Sequence, residues 1–362
     1  MRVIISGGGT GGHIFPAIAI ANTIKKRVPG VEILFVGANG RMEMEKVPQA
    51  GYSIKGLNIA GFQRGSLLKN ITLPFKILGS LLAARSIIKE FKPDVAVGVG
   101  GYASGPLLRV AGFLGIPTVI QEQNSFAGVT NKLLAKSAKV ICTGYDGMEK
   151  VFPKEKIVVT GNPVRAEIVN MNVAREEAYK YFGLDANKKT IFITGGSLGA
   201  KTLNKSVEVA LERIKESGYQ VLWQTGKIYF EDCKRLGEGV PNLQARMFVD
   251  RMDYAYTCAD VIISRAGALS ISELQLVGKP VILVPSPNVT EDHQTHNAMA
   301  LVNKQAAIMV KDDEARLNLI GAAFDLLQNE SLRNQLSMNI KQMAVSNAAE
   351  RIVDEILKVV KA

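Results

Sequence analysis

The sequence predicts two α/β domains, each built on a doubly wound parallel sheet, and three observations carry that reading. Short apolar runs of strand type alternate with helical patterns along the whole chain. A glycine turn lies between such a run and a helical pattern twice, at residues 6–12 and 194–200. The two turns share a spacing, since Ser6-Gly7-Gly8-x-x-Gly11-Gly12 aligns with Thr194-Gly195-Gly196-x-x-Gly199-Ala200. At 362 residues the chain suits two domains of ordinary size. The predicted division is 1–162 and 163–346, with an amphipathic helix over 347–362 packing back on the first domain and a ligand cleft between the two.

Val3, Ile4 and Ile5 form the first strand, and five of the six residues 7–12 are glycine. A helical pattern follows through Ile14, Phe15, Ala17, Ile18, Ala21 and Ile24, with Pro16 placed in its first turn, where a missing N–H is harmless. Strand, glycine turn and helix N-terminus together suit an anionic or polar ligand, and His13 stands at the mouth of the turn. The strand VEILFVG and a helix around 41–50 come next, then a basic, apolar stretch over 67–89. PDVAVGVGGYASGP is a strand running into a second glycine turn; GIPTVIQEQN, AKVICTGY and IVVTGNPVR supply further strands. The second half restarts with KKTIFITGGSLGAKTLNKSVEVALERI and continues through YQVLWQTG, LQARMFV, DVIISRAG, PVILVPSP and AAIMV.

Gly7, Gly9 and Gly12 satisfy the dinucleotide fingerprint G-x-G-x-x-G. That fingerprint expects a carboxylate at the end of the second strand, where this chain has Gly37, Ala38 and Asn39. An NAD-dependent oxidoreductase is disfavoured on that ground. Cys142, Cys233 and Cys258 are scattered and read as reduced thiols. Neither a signal peptide nor a membrane-spanning stretch is visible. His293 and His296, beside Glu291 and Asp292, lack the further ligands a metal site needs, and no D-x-D pair occurs, so no metal and no cofactor are expected.

The net charge of +11 resides wholly in residues 1–160, which hold 20 Lys and Arg against 9 Asp and Glu. That asymmetry points to an anionic partner for the first half, nucleic acid or an anionic lipid surface. Low aromatic content and the absence of a nucleic-acid motif argue against nucleic acid. Leu67, Leu68, Ile71, Leu73 and Phe75, interleaved with Lys69 and Lys76, fit shallow docking on such a lipid surface. The alternative is a core helix with snorkelling lysines.

In the second half, Ser264-Arg265-Ala266-Gly267 leaves a strand and opens a helix whose small residues free N–H groups for a diphosphate. Glu273, one turn in, suits the two hydroxyls of a ribose, or is a solvated glutamate on an ordinary capped helix. Residues 285–297 would line the same cleft. In the first half, His13 has the chemistry of a general base or of a mere capping histidine, and Glu122 and Asn124 project at the carboxyl edge of the sheet.

GGTGGHIFPA, GVGGYASGP, QEQNSFAGVTNK, GNPVR, GGSLGA and SRAGALSISE, in this order and spacing, resemble the MurG family of peptidoglycan N-acetylglucosaminyltransferases across essentially the whole chain. The resemblance implies a GT-B fold and an inverting, metal-independent transfer of GlcNAc from UDP-GlcNAc to undecaprenyl-pyrophosphoryl-MurNAc-pentapeptide (lipid I), giving lipid II. It implies a peripheral place on the cytoplasmic face of the cell membrane, near other cell-wall synthesis proteins. Position by position, it implies that Thr10, Gly11, Gly12 and Asn124 approach the sugar from the first domain. Arg165 and Ser197 would meet the diphosphate and Val249 the uracil. Ala268, Leu269, Ser270, Ile271, Ser272 and Glu273 would wrap phosphate and ribose, and Gln294 the sugar hydroxyls. Some members carry histidine in the place of Gln121, so the base role falls to His13 with Glu122 as helper. A UDP-sugar epimerase and a glycosyldiacylglycerol synthase share the fold, and a non-catalytic UDP-sugar-binding module is a further alternative; the epimerase would need no acceptor, the synthase would choose a different acceptor, and the module would turn nothing over.

Overall fold

The computed structural model describes residues 1–59, 73–196, 198–289 and 292–361. The chain forms two compact units, Met1–Val164 with Asn347–Ala362, and Arg165–Ser346.

Among the described residues, the first unit holds a seven-stranded sheet. Its strands are β1 (Arg2–Ser6), β2 (Glu32–Ala38), β3 (Ser53–Leu57), β4 (Val95–Gly98), β5 (Thr118–Glu122), β6 (Val140–Thr143) and β7 (Ile157–Val159). The order is β3-β2-β1-β4-β5-β6-β7 and every pairing is parallel. Side chains alternate between two buried faces, which is why the strands read as nearly unbroken apolar runs. Ile4, Val36, Ala96, Ile120 and Ile141 enter one core, and Val3, Ile5, Phe35, Val97, Val119 and Cys142 the other.

The first core is closed by α3 (Leu73–Phe91), α4 (Ser104–Phe113) and α5 (Val129–Leu134). The second is closed by α1 (Gly11–Arg27), by Val47 of α2 (Glu43–Gln49), and by the helix Ala348–Lys361. That last helix buries Ile352, Val353 and Ile356 completely, and α1 packs along it. Arg27 bonds Asp354 at 2.6 Å, and Arg351 donates to the Val159 carbonyl at 2.7 Å.

The second unit repeats the design with β8 (Thr190–Thr194), β9 (Gln220–Gln224), β10 (Leu243–Arg246), β11 (Val261–Ser264), β12 (Val281–Leu283) and β13 (Ile308–Met309). Its parallel order, β10-β9-β8-β11-β12-β13, matches the first sheet without the last strand. Trp223 is fully buried here, with its indole N–H donating to Asn204 Oδ1 at 2.9 Å. In both sheets the strand order reverses beside the strand that precedes the glycine turn. Ligands of open α/β sheets collect at the carboxyl edge of that reversal.

Three local expectations need correction. Strand β3 was not anticipated: in Ser-Ile-Lys-Gly-Leu only Leu57 is fully buried, so this edge strand has little apolar signal. Helix α1 begins at Gly11, which places Pro16 in its second turn rather than its first. The ring there removes the N–H that would otherwise bond the Gly12 carbonyl. The helix expected around 41–50 is shortened to Glu43–Gln49. All three cysteines are buried, and burial pushes Cys233 up to about 11 and Cys142 and Cys258 up to about 12, so the thiols stay protonated.

Candidate active site

At the carboxyl edge of the first sheet the turns after β1 and β4 interlock. Gly8 N–H donates to the Gly100 carbonyl at 3.3 Å, and Ser104 Oγ donates to the carbonyls of Ser6 and Gly100 at 2.9 and 2.8 Å. Gly101 has φ +91°, and a Cβ there would collide with the Gly8 carbonyl, so the two backbones touch only because both residues are glycine. The imidazole of His13, half-buried in the first turn of α1, folds back over this pair of turns. Its Nδ1 lies 3.1 Å from the Gly8 carbonyl and 3.4 Å from Thr10 Oγ1. Thr10 and Gly12 are exposed beside it.

Sequence reasoning missed Glu43. Its carboxylate is 1% exposed, yet it accepts hydrogen bonds from Gly9 N–H at 2.8 Å and Ala38 N–H at 3.0 Å. The glycine turn therefore already carries an anion on one of its N–H groups. A dinucleotide fold needs that turn for phosphate and needs a carboxylate turned outward to the ribose. Here the carboxylate near the end of β2 is turned inward, which removes the NAD reading on geometry. The only sequence signal was an acidic residue six positions beyond Gly37 in an acid-poor half.

Glu122, the expected helper of the base, is held by its own loop and by α5. Its carboxylate, 2% exposed, accepts from Asn124 N–H (3.1 Å), Asn124 Nδ2 (3.2 Å), Gly128 N–H (3.0 Å) and Asn131 Nδ2 (2.9 Å). Four donors occupy the acceptor directions of a carboxylate. Alternation along β5 turns this side chain toward α5, so Glu122 shapes the loop that presents Asn124. Gln121, pointing to the other face, is fully buried and donates to Asn162 Oδ1 at 3.0 Å, while Asn162 donates to the Gln123 carbonyl at 2.9 Å. These amides weld the turn after β7 to β5.

In the second unit the helix Ala268–Val277 opens at Gly267, whose lack of a side chain leaves the first N–H groups without a side-chain cap. Ala268, Ile271, Ser272 and Glu273 are buried, Leu269 and Ser270 partly so, and Ser272 Oγ bonds the Ala268 carbonyl at 3.1 Å. The short helix Ala166–Val169 packs on this one and brings in Arg165. Arg165 Nε and Nη2 reach the two oxygens of Glu273 at 2.8 and 2.9 Å, and Tyr256 OH adds a bond to Oε2 at 3.2 Å. Burial opposes the Arg165 charge, but the bonds and charge of Glu273 outweigh it, so the guanidinium holds its proton more firmly than usual. Burial, and then the Glu273 charge, raise the Tyr256 hydroxyl well above its ordinary value, so it remains a donor. The two residues read separately as diphosphate and ribose ligands hold each other here.

The remaining residues expected on the donor side are held by partners invisible in the sequence. Val249 is buried and its N–H bonds Gln224 Oε1 at 2.8 Å. Gln294 accepts from Ser286 N–H at 2.9 Å, which ties it to the loop after β12. Arg265 donates to the carbonyls of Val284 and Pro285 at 3.0 and 3.1 Å and to Asp312 at 2.5 Å, joining the turns after β11 and β12. Ser197 lies outside the described residues, as do Leu67, Leu68, Lys69 and Ile71. Leu73 opens α3, on which Phe75 is 77% exposed and Lys76 is exposed. Among the described residues no group of three His, Cys, Asp or Glu side chains could hold a metal ion, and no helix is long and apolar enough to cross a membrane.

Comparison with known proteins sets this geometry in a family. Residues 3–143 match the glycosyltransferase family 28 N-terminal domain, and residues 190–352 match the family 28 C-terminal domain. The chain is 58% identical over 362 residues to the UDP-N-acetylglucosamine–N-acetylmuramyl-(pentapeptide) pyrophosphoryl-undecaprenol N-acetylglucosamine transferase of Phocaeicola vulgatus, covering 99% of this chain and 96% of that one. The crystal structure of Acinetobacter baumannii MurG superposes with a TM-score of 0.81 at 33% identity, covering 99% of both chains. A UDP-GlcNAc 2-epimerase from Neisseria meningitidis, at 16% identity and a TM-score of 0.69, covers 99% of this chain and 100% of that one; it shares the fold alone. The fold is GT-B, and the chain belongs to the MurG family of N-acetylglucosaminyltransferases.

Proposed function

We propose that this enzyme transfers GlcNAc from UDP-GlcNAc to lipid I with inversion, giving lipid II, and that its own side chains suffice for the chemistry. The observation that carries the donor assignment is the Arg165–Glu273–Tyr256 cluster at an uncapped helix N-terminus. Glu273 receives the ribose hydroxyls, and Arg165 turns from Glu273 toward the diphosphate as the nucleotide enters. The N–H groups of Ala268, Leu269 and Ser270, with Ser197, complete the phosphate seat. Val249 offers its backbone to the uracil, and its N–H is already committed to Gln224, so the uracil N3–H meets its carbonyl. Gln294 addresses the sugar hydroxyls.

On the acceptor side, Thr10, Gly11, Gly12 and Asn124 border the sugar, and His13 takes the proton of the attacking hydroxyl. Inversion needs that hydroxyl in line behind the anomeric carbon while UDP departs. Donors fixed in advance stabilise the leaving diphosphate without reorganisation. UDP release measured in the presence of a chelator, with and without a short-chain lipid I analogue, tests the reaction. Release that requires the acceptor and yields glycosylated product supports it; acceptor-independent release, or loss of activity with the chelator, overturns it.

We further propose that α3 docks this enzyme on an anionic membrane surface. Phe75, Ile77, Leu78 and Leu82 are exposed on it, Phe113 is exposed on α4 packed beside it, and Leu133 on α5, which packs on α4. Reversing charge with Lys69→Glu and Lys76→Glu is expected to lower partitioning onto anionic vesicles by about tenfold or more, at ~1 kcal/mol for each basic residue near the surface. Turnover of a water-soluble acceptor analogue should be unchanged. Equal partitioning of variant and parent would overturn the docking role.

A further inference from the structure

We propose that Glu43 is a positioning residue for His13, acting through the glycine turn; the inference rests on His13 being the base. A buried carboxylate supplies two acceptors and no donor. Glu43 uses one oxygen on each of two backbone N–H groups, Gly9 in the turn after β1 and Ala38 at the end of β2. Space is made for it, because a Cβ at Gly8 or Gly37 would collide with the Glu43 side chain. The next link is the peptide between Gly8 and Gly9. Its N–H is the one held by Glu43, and its carbonyl, that of Gly8, faces His13 Nδ1 at 3.1 Å.

A carbonyl can only accept, so this contact requires the hydrogen of the imidazole on Nδ1 and sets the basic electron pair on Nε2. The ring is also pressed against Gly100, where a Cβ would come within 2.6 Å of Cδ2. Tautomer and ring plane are therefore set by one rigid turn, and Glu43 is the side chain that fastens the turn from outside. A neutral amide in its place would have to turn an NH2 toward one of the two backbone donors. Glu43→Gln thus loosens one of these two anchors without changing the volume of the side chain.

Two measurements test the assignment. Ring 15N shifts of His13 in the unaltered protein should show the hydrogen on Nδ1, and in Glu43→Gln a mixture of both tautomers. Steady-state kinetics of Glu43→Gln should show kcat reduced about 10- to 100-fold with the KM for UDP-GlcNAc within about twofold, and no further loss when the change is made in His13→Ala. A merely structural glutamate would instead lower the residual rate of His13→Ala by the same factor, and that result overturns the positioning role while leaving the base intact. A hydrogen on Nε2 in the unaltered protein also overturns it, and needs no variant to fold. Wild-type kcat in His13→Ala would remove the base assignment and the inference with it.

Discussion

Replacing Glu273 by alanine is expected to weaken UDP-GlcNAc binding by about 10²- to 10⁴-fold, because each hydrogen bond to a charged group contributes ~1.5–3 kcal/mol and a ribose makes two. Glu273 is 12% exposed at its side chain and Arg165 43%, so the guanidinium left behind can be hydrated, and the fold should survive. The helix Ala268–Val277 keeps its buried Ile271 and Leu274 in either case. Titration calorimetry with UDP-GlcNAc, alongside a thermal melt, separates the two effects. Unchanged affinity, or a loss of affinity matched by a loss of the folded state, would sink the ribose assignment. Glu273→Gln should fall between the unaltered protein and Glu273→Ala, since an amide retains one acceptor but loses the charge that the hydroxyls meet.

His13→Ala should act on the other side of the reaction. General-base assistance contributes typically about 10²- to 10⁴-fold, so kcat should fall by that order while the donor dissociation constant stays within about twofold. The imidazole packs on the turn through Nδ1 and on Gly100 through its ring edge, and the side chain is only half-buried, so its removal leaves the core of Ile14, Ala17 and Ile20 intact. Single-turnover measurement at saturating acceptor distinguishes loss of the chemical step from loss of binding. A variant that retains its rate at saturation and merely needs more acceptor would reassign His13 to acceptor binding.

The parallel sheets were legible in the sequence because both faces of each strand are buried, and an unbroken run such as Val-Ile-Ile has few other readings. Strand β3 was not, since an edge strand with one fully buried residue carries almost no apolar pattern. The glycine and small-residue turns of both units were legible through motif spacing. What spacing could not report is the state in which the expected site residues wait. Arg165 and Glu273 are 108 positions apart, and nothing local predicts that they meet. Glu122 shows the opposite limit. Its place at a strand end suggested chemistry, but the four donors that occupy it come from its own loop and from α5, and only the folded loop reveals them. Glu43 escaped for a related reason: a glutamate in the first turn of a helix is commonplace, and its inward rotamer is a property of the turns around it.

The helix Ala348–Lys361 has a consequence for how the protein comes into being. A ribosome makes the strands of the first unit early, then makes the whole of the second, and only afterwards supplies Ile352, Val353 and Ile356 to the first. Throughout that interval the emerging first unit carries an uncovered apolar strip beside α1, while the second, being continuous, has every residue it needs to fold. The order of completion is therefore the reverse of the order of synthesis. A chaperone meeting this nascent chain would find its longest-lived exposed surface on the part that was translated first.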